Sequence, residues 1–378
     1  MSDNKEFLYK IEYLVDKNVN FLFGSGASAE YIPTLRINEH DSYETILTNK
    51  KLEPFQNFIY WHYYKQIISR TFCTFPEEDF EQEKYNKTFE SYCNFIQELV
   101  DFLNRRSANQ IKRANIFTTN YDLFFEKAAD KLQEKNKFNL NDGSLGLIER
   151  YLNISNFHIS CWHQGTHDQY RYELPTINLI KLHGSVSWIK ENDNTIKITY
   201  PTILPDNLNK EIDNDISLKD VLNAYESYGI DSLSEFVGLS KQDKTDLSNF
   251  FECYKKLALV NPTKKKFEET VFQQHYYQAL RLLSYELEKP QTVLVCFGFS
   301  FKDEHITEII KRSLTNPTLK IFIFCYKQST KDEIKSVIDD SRITYFCPNN
   351  QKFKINFTEF YNYIFQLYES KDIVCTNS

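Results

Sequence analysis

Three polar side chains follow apolar runs at positions where they could take part in acid–base chemistry. His183 follows the run that ends at Leu182, and Asn120 and Asp122 follow the run that ends at Thr118. A histidine titrates near neutral pH and can accept a proton from water or a hydroxyl group. An asparagine amide can orient a water or a carboxamide, and a carboxylate can orient a hydroxyl or stabilise positive charge. Local alternatives stay open, because Asn and Asp also favour turns and helix caps, and a histidine can simply close a strand end.

A glycine-containing turn follows the first apolar run of the chain. Val19–Phe23 stops at Gly24, and only small residues follow as far as Ala29. Gly24 and Gly26 lack a Cβ atom, so the backbone there can turn sharply and approach a ligand closely. A helix that begins after such a turn points its first N–H groups at an anion. The pattern predicts a phosphate-binding turn, although a Gly-x-Gly alone is weak evidence.

Apolar runs that alternate with helical patterns predict the fold. Runs of this kind typify parallel strands buried on both faces. We therefore expect a Rossmann-like, doubly wound, mostly parallel α/β sheet in one domain over residues 1–378, with helical insertions at about 40–110 and 206–290. The predicted strands span about 19–23, 115–118, 176–182, 292–297, 319–325 and 342–346. In such sheets ligands bind beyond the carboxyl ends of the strands, where the polar motifs lie.

The predicted helices and loops divide the rest of the chain. Aromatic stripes over 54–106 predict helices that pack into the core or against another copy of the chain. Residues 38–53 read as loop, and residues 185–200 as a hairpin. Asp303 and His305 are interpreted as first-turn residues of a helix, with a mainly structural role.

Composition excludes several classes of function. The net charge of −7 and the short basic cluster Lys264–Lys266 argue against direct nucleic-acid binding. None of the 8 cysteines forms a Cys-x-x-Cys pair, so we expect free thiols in a reducing, cytoplasmic compartment and no metal site, zinc included. The cluster of Cys161 with His158, His163 and His167 fits no standard zinc spacing. No apolar run is long enough for a membrane span, and the N-terminus is polar.

Four segments in this order resemble the sirtuin family. They are Gly24-Ser-Gly-Ala-Ser28, Ile32-Pro-Thr-Leu-Arg36, Thr119-Asn-Tyr-Asp122 and Lys181-Leu-His-Gly184. A fifth stretch, Val293–Ile306, resembles the sirtuin-like branch found in bacterial anti-phage defence proteins. Each motif alone is loose, and the ordered set is specific.

The resemblance implies an NAD site and assigns a role to each matching residue. His183 would be the catalytic base, and Asn120 and Asp122 would lie near the nicotinamide and its ribose. Arg36 is retained from the family pattern. The residues implied for the pyrophosphate and ribose are Gly24, Ser25, Gly26, Ala27 and Ser28, and those for the adenine side are Gly298, Phe299 and Ser300.

Two departures from the family pattern argue against deacylation. Thr34 stands where deacylases usually carry an Asp, and the paired-cysteine zinc module is absent. The residue types still suit cleavage of the nicotinamide–ribose bond, which proceeds through an oxocarbenium-like state as in glycoside hydrolysis.

The resemblance therefore implies an NAD⁺ hydrolase with NAD as its substrate, acting in bacterial defence by depleting NAD⁺. Such an enzyme must be silent until it is triggered, so a partner protein is expected, in related systems a HerA-type hexameric ATPase. A homo-oligomer would fit the aromatic-rich helical insertions, which could equally pack into the core. The alternatives are an NAD-dependent deacylase or ADP-ribosyltransferase, and a non-catalytic module that senses NAD or ADP-ribose.

Overall fold

The computed structural model describes residues 11–38, 41–76, 78–168, 170–192, 195–200, 241–262, 270–365 and 372–377. The predicted helix over 5–17 is described only from residue 11, where a helix spans Ile11–Val15. Lys264–Lys266 and the part of the predicted insertion that spans 206–240 lie outside the described residues.

An eight-stranded sheet forms the centre of the protein. Seven of its strands are parallel, and the last pairs antiparallel at one edge. These strands are β1 Asn18–Phe23, β2 Arg113–Thr118, β3 Asn139–Asn141, β8 Thr176–Lys181, β12 Thr292–Phe297, β13 Lys320–Phe324, β14 Ile343–Pro348 and β15 Ile373–Asn377. Their order in the sheet is β15-β14-β13-β12-β1-β2-β8-β3.

Helices cover both faces of this sheet, which confirms the predicted doubly wound α/β fold. The side chains of β1 alternate between two hydrophobic cores, one on each face of the sheet, because successive side chains of a strand point to opposite faces. Phe21 and Phe23 pack into one core and Leu22 into the other. The helices are Ile11–Val15, Tyr43–Leu47, Gln56–Tyr63, Ser69–Thr71, Asp79–Asn104, Phe124–Gln133, Lys241–Tyr254, Thr270–Glu288, Glu304–Ser313, Gln328–Lys335 and Phe357–Ile364.

The aromatic stripes predicted between residues 54 and 106 belong to the core of the chain itself. Phe95, on the helix Asp79–Asn104, is fully buried and meets the rings of Phe21 and Phe23 edge-on at 5.3 Å. Phe357 and Phe360 pack against Phe23 from the helix Phe357–Ile364. This aromatic packing fixes two helices against the face of β1.

A second, five-stranded sheet lies beyond the carboxyl end of β8. Its order is β11-β9-β10-β5-β4, and β9 and β10 form the predicted hairpin. A separate two-stranded hairpin consists of β6 and β7. The bounds are β4 Ser144–Leu145, β5 Tyr151–Leu152, β6 Trp162–Gln164, β7 Arg171–Glu173, β9 Gly184–Asn192, β10 Thr195–Ile198 and β11 Leu257–Leu259.

The structure differs from the sequence predictions in one helix and in two strands of the central sheet. The stretch 38–53, predicted as loop, contains the helix Tyr43–Leu47, which Ser42 begins with a capping box. The edge strands β3 and β15 were not expected, because they are short and pair only at the margins of the sheet.

Among the described residues, no helix is long and apolar enough to cross a membrane.

Candidate functional site

The predicted motifs lie side by side, because four parallel strands end in register. Phe297 of β12 pairs with Phe23 of β1, Phe23 with Thr118 of β2, and Thr118 with Lys181 of β8. The ladder continues one residue further, since Thr119 N donates to Phe23 O at 3.0 Å. The glycine turn, the segment 119–122, the segment 182–184 and the segment 298–303 therefore leave the sheet along one edge.

The edge contains the topological switch point of the sheet. From β1 the chain order runs through β2 and β8 on one side and through β12, β13 and β14 on the other. Ligands of open α/β sheets bind in the crevice outside the carboxyl ends at such a point. Here the switch point lies between β1 and β12, whose following loops pack against each other.

The glycines at this point bring two backbones together. A Cβ atom on Gly24 would lie 2.4 Å from Gly298 O, and one on Gly26 would lie 2.5 Å from Gly298 Cα. Gly298 itself has φ +67°, and a Cβ there would lie 2.6 Å from Ala27 N. Packing of the two loops thus requires these three glycines, whether or not a ligand binds.

The turn differs in two respects from the expected phosphate-binding turn. The helix that follows is a single 3₁₀ turn, Ser25–Ala27. The N–H groups of Gly24 and Gly26 donate to Phe297 O and Gly298 O, both at 3.1 Å. These two N–H groups are therefore engaged by backbone carbonyls instead of facing an open anion site.

Ser28 lies at the centre of a buried hydrogen-bond network. Its hydroxyl group donates to Asp122 Oδ2 at 2.7 Å, lies 2.7 Å from the hydroxyl of Tyr92, and accepts a 3.3 Å hydrogen bond from Asn120 Nδ2. Asp122 also accepts a hydrogen bond from Phe124 N at the start of the next helix. The structure thus joins three predicted site residues, and it makes Asp122 and Ser28 part of the support beneath Asn120.

A buried ion pair supports this network from below. Lys181 Nζ lies 3.0 Å from Glu126 Oε1, with side-chain exposures of 3% and 9%, and it donates to the carbonyl of Asp122. Burial raises the pKa of Glu126, and the Lys181 charge opposes that shift. The end of β8 is therefore tied to the Asp122 segment.

His183 meets a carboxylate that arrives from the other half of the sheet. Its Nε2 lies 3.0 Å from Asp303 Oδ2, and the side chains are 11% and 7% exposed. The direction at Nε2 does not fit a hydrogen bond, and the close contact becomes an ion pair only when the imidazole is protonated. Asp303 also caps the helix Glu304–Ser313 by accepting from Ile306 N, which confirms its predicted structural position.

The contact spans the switch point. The strands β8 and β12 are separated by β2 and β1, a distance of about 14 Å at the usual strand spacing. The loops after β8 and β12 consequently arch over the ends of β1 and β2. Asp303 could not be identified from the sequence as the partner of His183, because 120 positions separate the two residues and only the sheet order brings them together.

A backbone clamp holds the His183 segment to the β2 loop. Val260 N donates to His183 O at 2.9 Å, and Tyr121 OH donates to Val260 O at 2.6 Å. Burial raises the pKa of Tyr121 to about 12, so its hydroxyl keeps the proton that it donates. The rings of His183 and Tyr276 lie 6.1 Å apart, centroid to centroid.

The remaining predicted ligand-contacting residues are more peripheral. Ser25 and Ser300 are exposed, and Phe299 is buried against Phe301, whose φ is +57°. Arg36 is exposed and donates to Asn38 O in its own loop. Ser25 and Ser300 thus present free surface beside the glycine contact.

The cysteines and histidines of the sequence analysis lie elsewhere. Cys296 and Cys325 are buried in the sheet as predicted, and burial raises the pKa of Cys296. His163 lies in the β6–β7 hairpin, 3.3 Å from Lys137 Nζ. Within the described residues there is no group of three or more Cys, His, Asp or Glu side chains that could hold a metal ion.

Comparison with known proteins identifies no family for the chain. Profiles of known protein families give no match to the chain, and no curated protein matches it significantly. The functional conclusion therefore depends on the geometry of the strand ends and on the ordered motifs.

Proposed function

We propose that the protein is an NAD⁺ hydrolase that releases nicotinamide and ADP-ribose. One observation carries the proposal: a buried histidine with a carboxylate beside it, an asparagine amide and a glycine turn share one sheet edge at the switch point. Nucleotides bind at this place in doubly wound sheets. The ordered resemblance to sirtuins supplies the choice of NAD⁺.

The residues suit hydrolysis in the following way. The bond between C1′ of the ribose and the nicotinamide nitrogen breaks, and its electron pair goes to that nitrogen, which becomes neutral. A water oxygen bonds to C1′, and the proton that the water loses passes to His183. Asn120 would orient the water or the carboxamide, while Ser28 and Asp122 hold the Asn120 segment in place.

Burial of the site means that binding requires an opening. Asn120, His183 and Ser28 are each less than a tenth exposed. A second candidate function, a module that binds NAD or ADP-ribose without turnover, needs the same opening, and the presence of His183 and Asn120 argues against it. The absence of the paired-cysteine motif from the sequence argues against the deacylase alternative.

The test is to incubate the purified full chain with NAD⁺ and measure nicotinamide and free ADP-ribose. We expect release of both without any acylated peptide, and a loss of at least about 100-fold in His183→Ala and Asn120→Ala. The matched control is His158→Ala, an exposed histidine near the amino end of β2. NAD⁺ binding without nicotinamide release would favour the sensing module. If the chain neither binds NAD⁺ nor releases nicotinamide, both candidate functions are refuted.

The setting in bacterial anti-phage defence, a homo-oligomer and a HerA-type hexameric ATPase partner are proposed on the resemblance alone. Co-expression with such an ATPase, followed by size-exclusion chromatography and the same NAD⁺ assay, tests them. Co-elution with higher turnover would support the partner, and separate elution with unchanged turnover would argue against it.

A further inference from the structure

We infer that Asp303 is the positioning residue of His183, holding the proton on Nε2 and leaving Nδ1 as the atom that accepts the proton of the attacking water. This inference deepens the proposed function and rests on it for the substrate. It assigns to Asp303 a role beyond helix capping.

The two carboxylate oxygens of Asp303 contact different groups. Oδ1 accepts from Ile306 N at 3.3 Å and begins the helix Glu304–Ser313. Oδ2 lies 3.0 Å from His183 Nε2. A helix cap needs only the first oxygen, and Asn or Ser would supply it equally well. The cap therefore fixes the second oxygen where it meets the imidazole.

Electrostatics determines which ring nitrogen carries the proton. His183 Nε2 is buried beside a carboxylate that has lost most of its solvent. With Asp303 Oδ2 at 3.0 Å, the negative charge of the carboxylate favours a proton on Nε2 over a lone pair there. The neutral ring consequently carries its proton on Nε2, and its lone pair lies on Nδ1.

The same carboxylate assists the proton transfer. When His183 accepts a proton it becomes an imidazolium, and Asp303 stabilises that positive charge in buried surroundings. The direction at Nε2 is out of line with the carboxylate, and catalytic hydrogen bonds commonly tighten only when substrate binds.

The first experiment does not need NAD⁺. Long-range ¹H–¹⁵N spectra of the full chain, labelled with ¹⁵N-histidine and assigned with His183→Gln, report the tautomer of His183. We expect the Nε2–H form in the wild type and a shift towards a mixture in Asp303→Ser, which keeps a capping oxygen. An Nδ1–H wild type, or an unchanged pattern in Asp303→Ser, would overturn the inference even if NAD⁺ is cleaved.

The second experiment separates positioning from structure. We expect Asp303→Asn and Asp303→Ser to lower kcat for NAD⁺ at least tenfold while KM stays within about threefold. The double variant His183→Ala/Asp303→Asn should be no slower than His183→Ala, because Asp303 acts through His183. Full additivity of the two losses would contradict this role.

A control cap excludes a general loss of stability. Asn356→Ala removes the side chain that accepts from Glu359 N at another helix start. We expect a lower Tm with unchanged kcat in that variant, and near-native Tm with reduced kcat in Asp303→Asn. If the wild type cleaves no NAD⁺, the proposed function fails while the tautomer measurement still decides the role of Asp303.

Discussion

Ser28 shows how one hydroxyl group supports the candidate site. The sequence resemblance implies that it contacts a ligand, whereas the structure engages the hydroxyl with three neighbours, of which Asp122 is a carboxylate. A buried carboxylate that loses its donor pays much of the cost of desolvation. Ser28 thus contributes to the position of Asn120 through the network.

We predict that Ser28→Ala lowers the free energy of unfolding by about 1–3 kcal/mol, because Asp122 Oδ2 and Tyr92 lose a shared partner. Urea unfolding followed by circular dichroism measures the change. The matched control is Ser25→Ala, three residues earlier and exposed, for which we expect a change within about 0.5 kcal/mol. Equal effects in the two variants would show that the network contributes nothing to stability.

In the helix Asp79–Asn104, burial decides how much each aromatic side chain contributes to stability. Its inward aromatic residues pack against β1, and the outer ones face water. Phe95 is fully buried, and Phe80 of the same helix is 66% exposed. Two phenylalanines on one helix therefore differ only in their surroundings.

We predict that Phe95→Ala lowers the free energy of unfolding by about 3–5 kcal/mol, since it opens a cavity beside Phe21 and Phe23. Phe80→Ala should cost less than about 1 kcal/mol, because it loses only an exposed contact with the Lys84 ammonium. Denaturant unfolding of both variants tests the difference. A small effect of Phe95→Ala would mean that this helix does not hold the aromatic core together.

The buried pair Lys181–Glu126 links β8 to the helix Phe124–Gln133, and it makes stability depend on pH. We predict that Lys181→Met costs about 3–5 kcal/mol, because it leaves Glu126 buried without its partner. The pKa of Glu126 is already raised by burial, and removal of Lys181 raises it further. A folded state with a raised carboxyl pKa binds the proton more tightly than the unfolded chain, so stability falls as pH rises through that pKa.

The deficit of Lys181→Met should therefore be larger at about pH 8 than at about pH 5. Urea unfolding at the two pH values measures it. The double variant Lys181→Met/Glu126→Gln serves as control, because it lacks the titrating carboxyl and its deficit should not grow with pH. A pH-independent deficit in the single variant would contradict the assignment to Glu126.

Elements were predictable from sequence where a buried strand stops at a glycine or a polar residue. The carboxyl ends of β1, β2, β8 and β12 lie within a residue or so of their predicted positions. The short edges β3 and β15 escaped prediction, since few side chains of an edge strand are buried. The contact of Asp303 with His183 could not be read from spacing, because it depends on the sheet order.

For the whole molecule, the order of the strands explains why the site is closed. His183 follows β8 and Asp303 follows β12, so their contact joins the two halves of the sheet above β1 and β2. The clamp from Tyr121 through Val260 holds the His183 segment down on one side. A dinucleotide can therefore reach Asn120 only if this arch opens.

We predict that Tyr121 restrains that opening, and exchange of amide hydrogens can measure the effect. Its hydroxyl, with a pKa of about 12, donates to Val260 O at 2.6 Å, and Val260 N in turn donates to His183 O. Tyr121→Phe removes the first of these hydrogen bonds, worth about 1 kcal/mol, and should make opening about fivefold more frequent. We expect the Val260 amide to exchange about fivefold faster, while amides in the middle of β12 keep their rates. Tyr277→Phe, at an exposed position, should leave Val260 unchanged. If Val260 exchanges at the wild-type rate in Tyr121→Phe, the arch is held by other contacts, and access to His183 does not depend on this clamp.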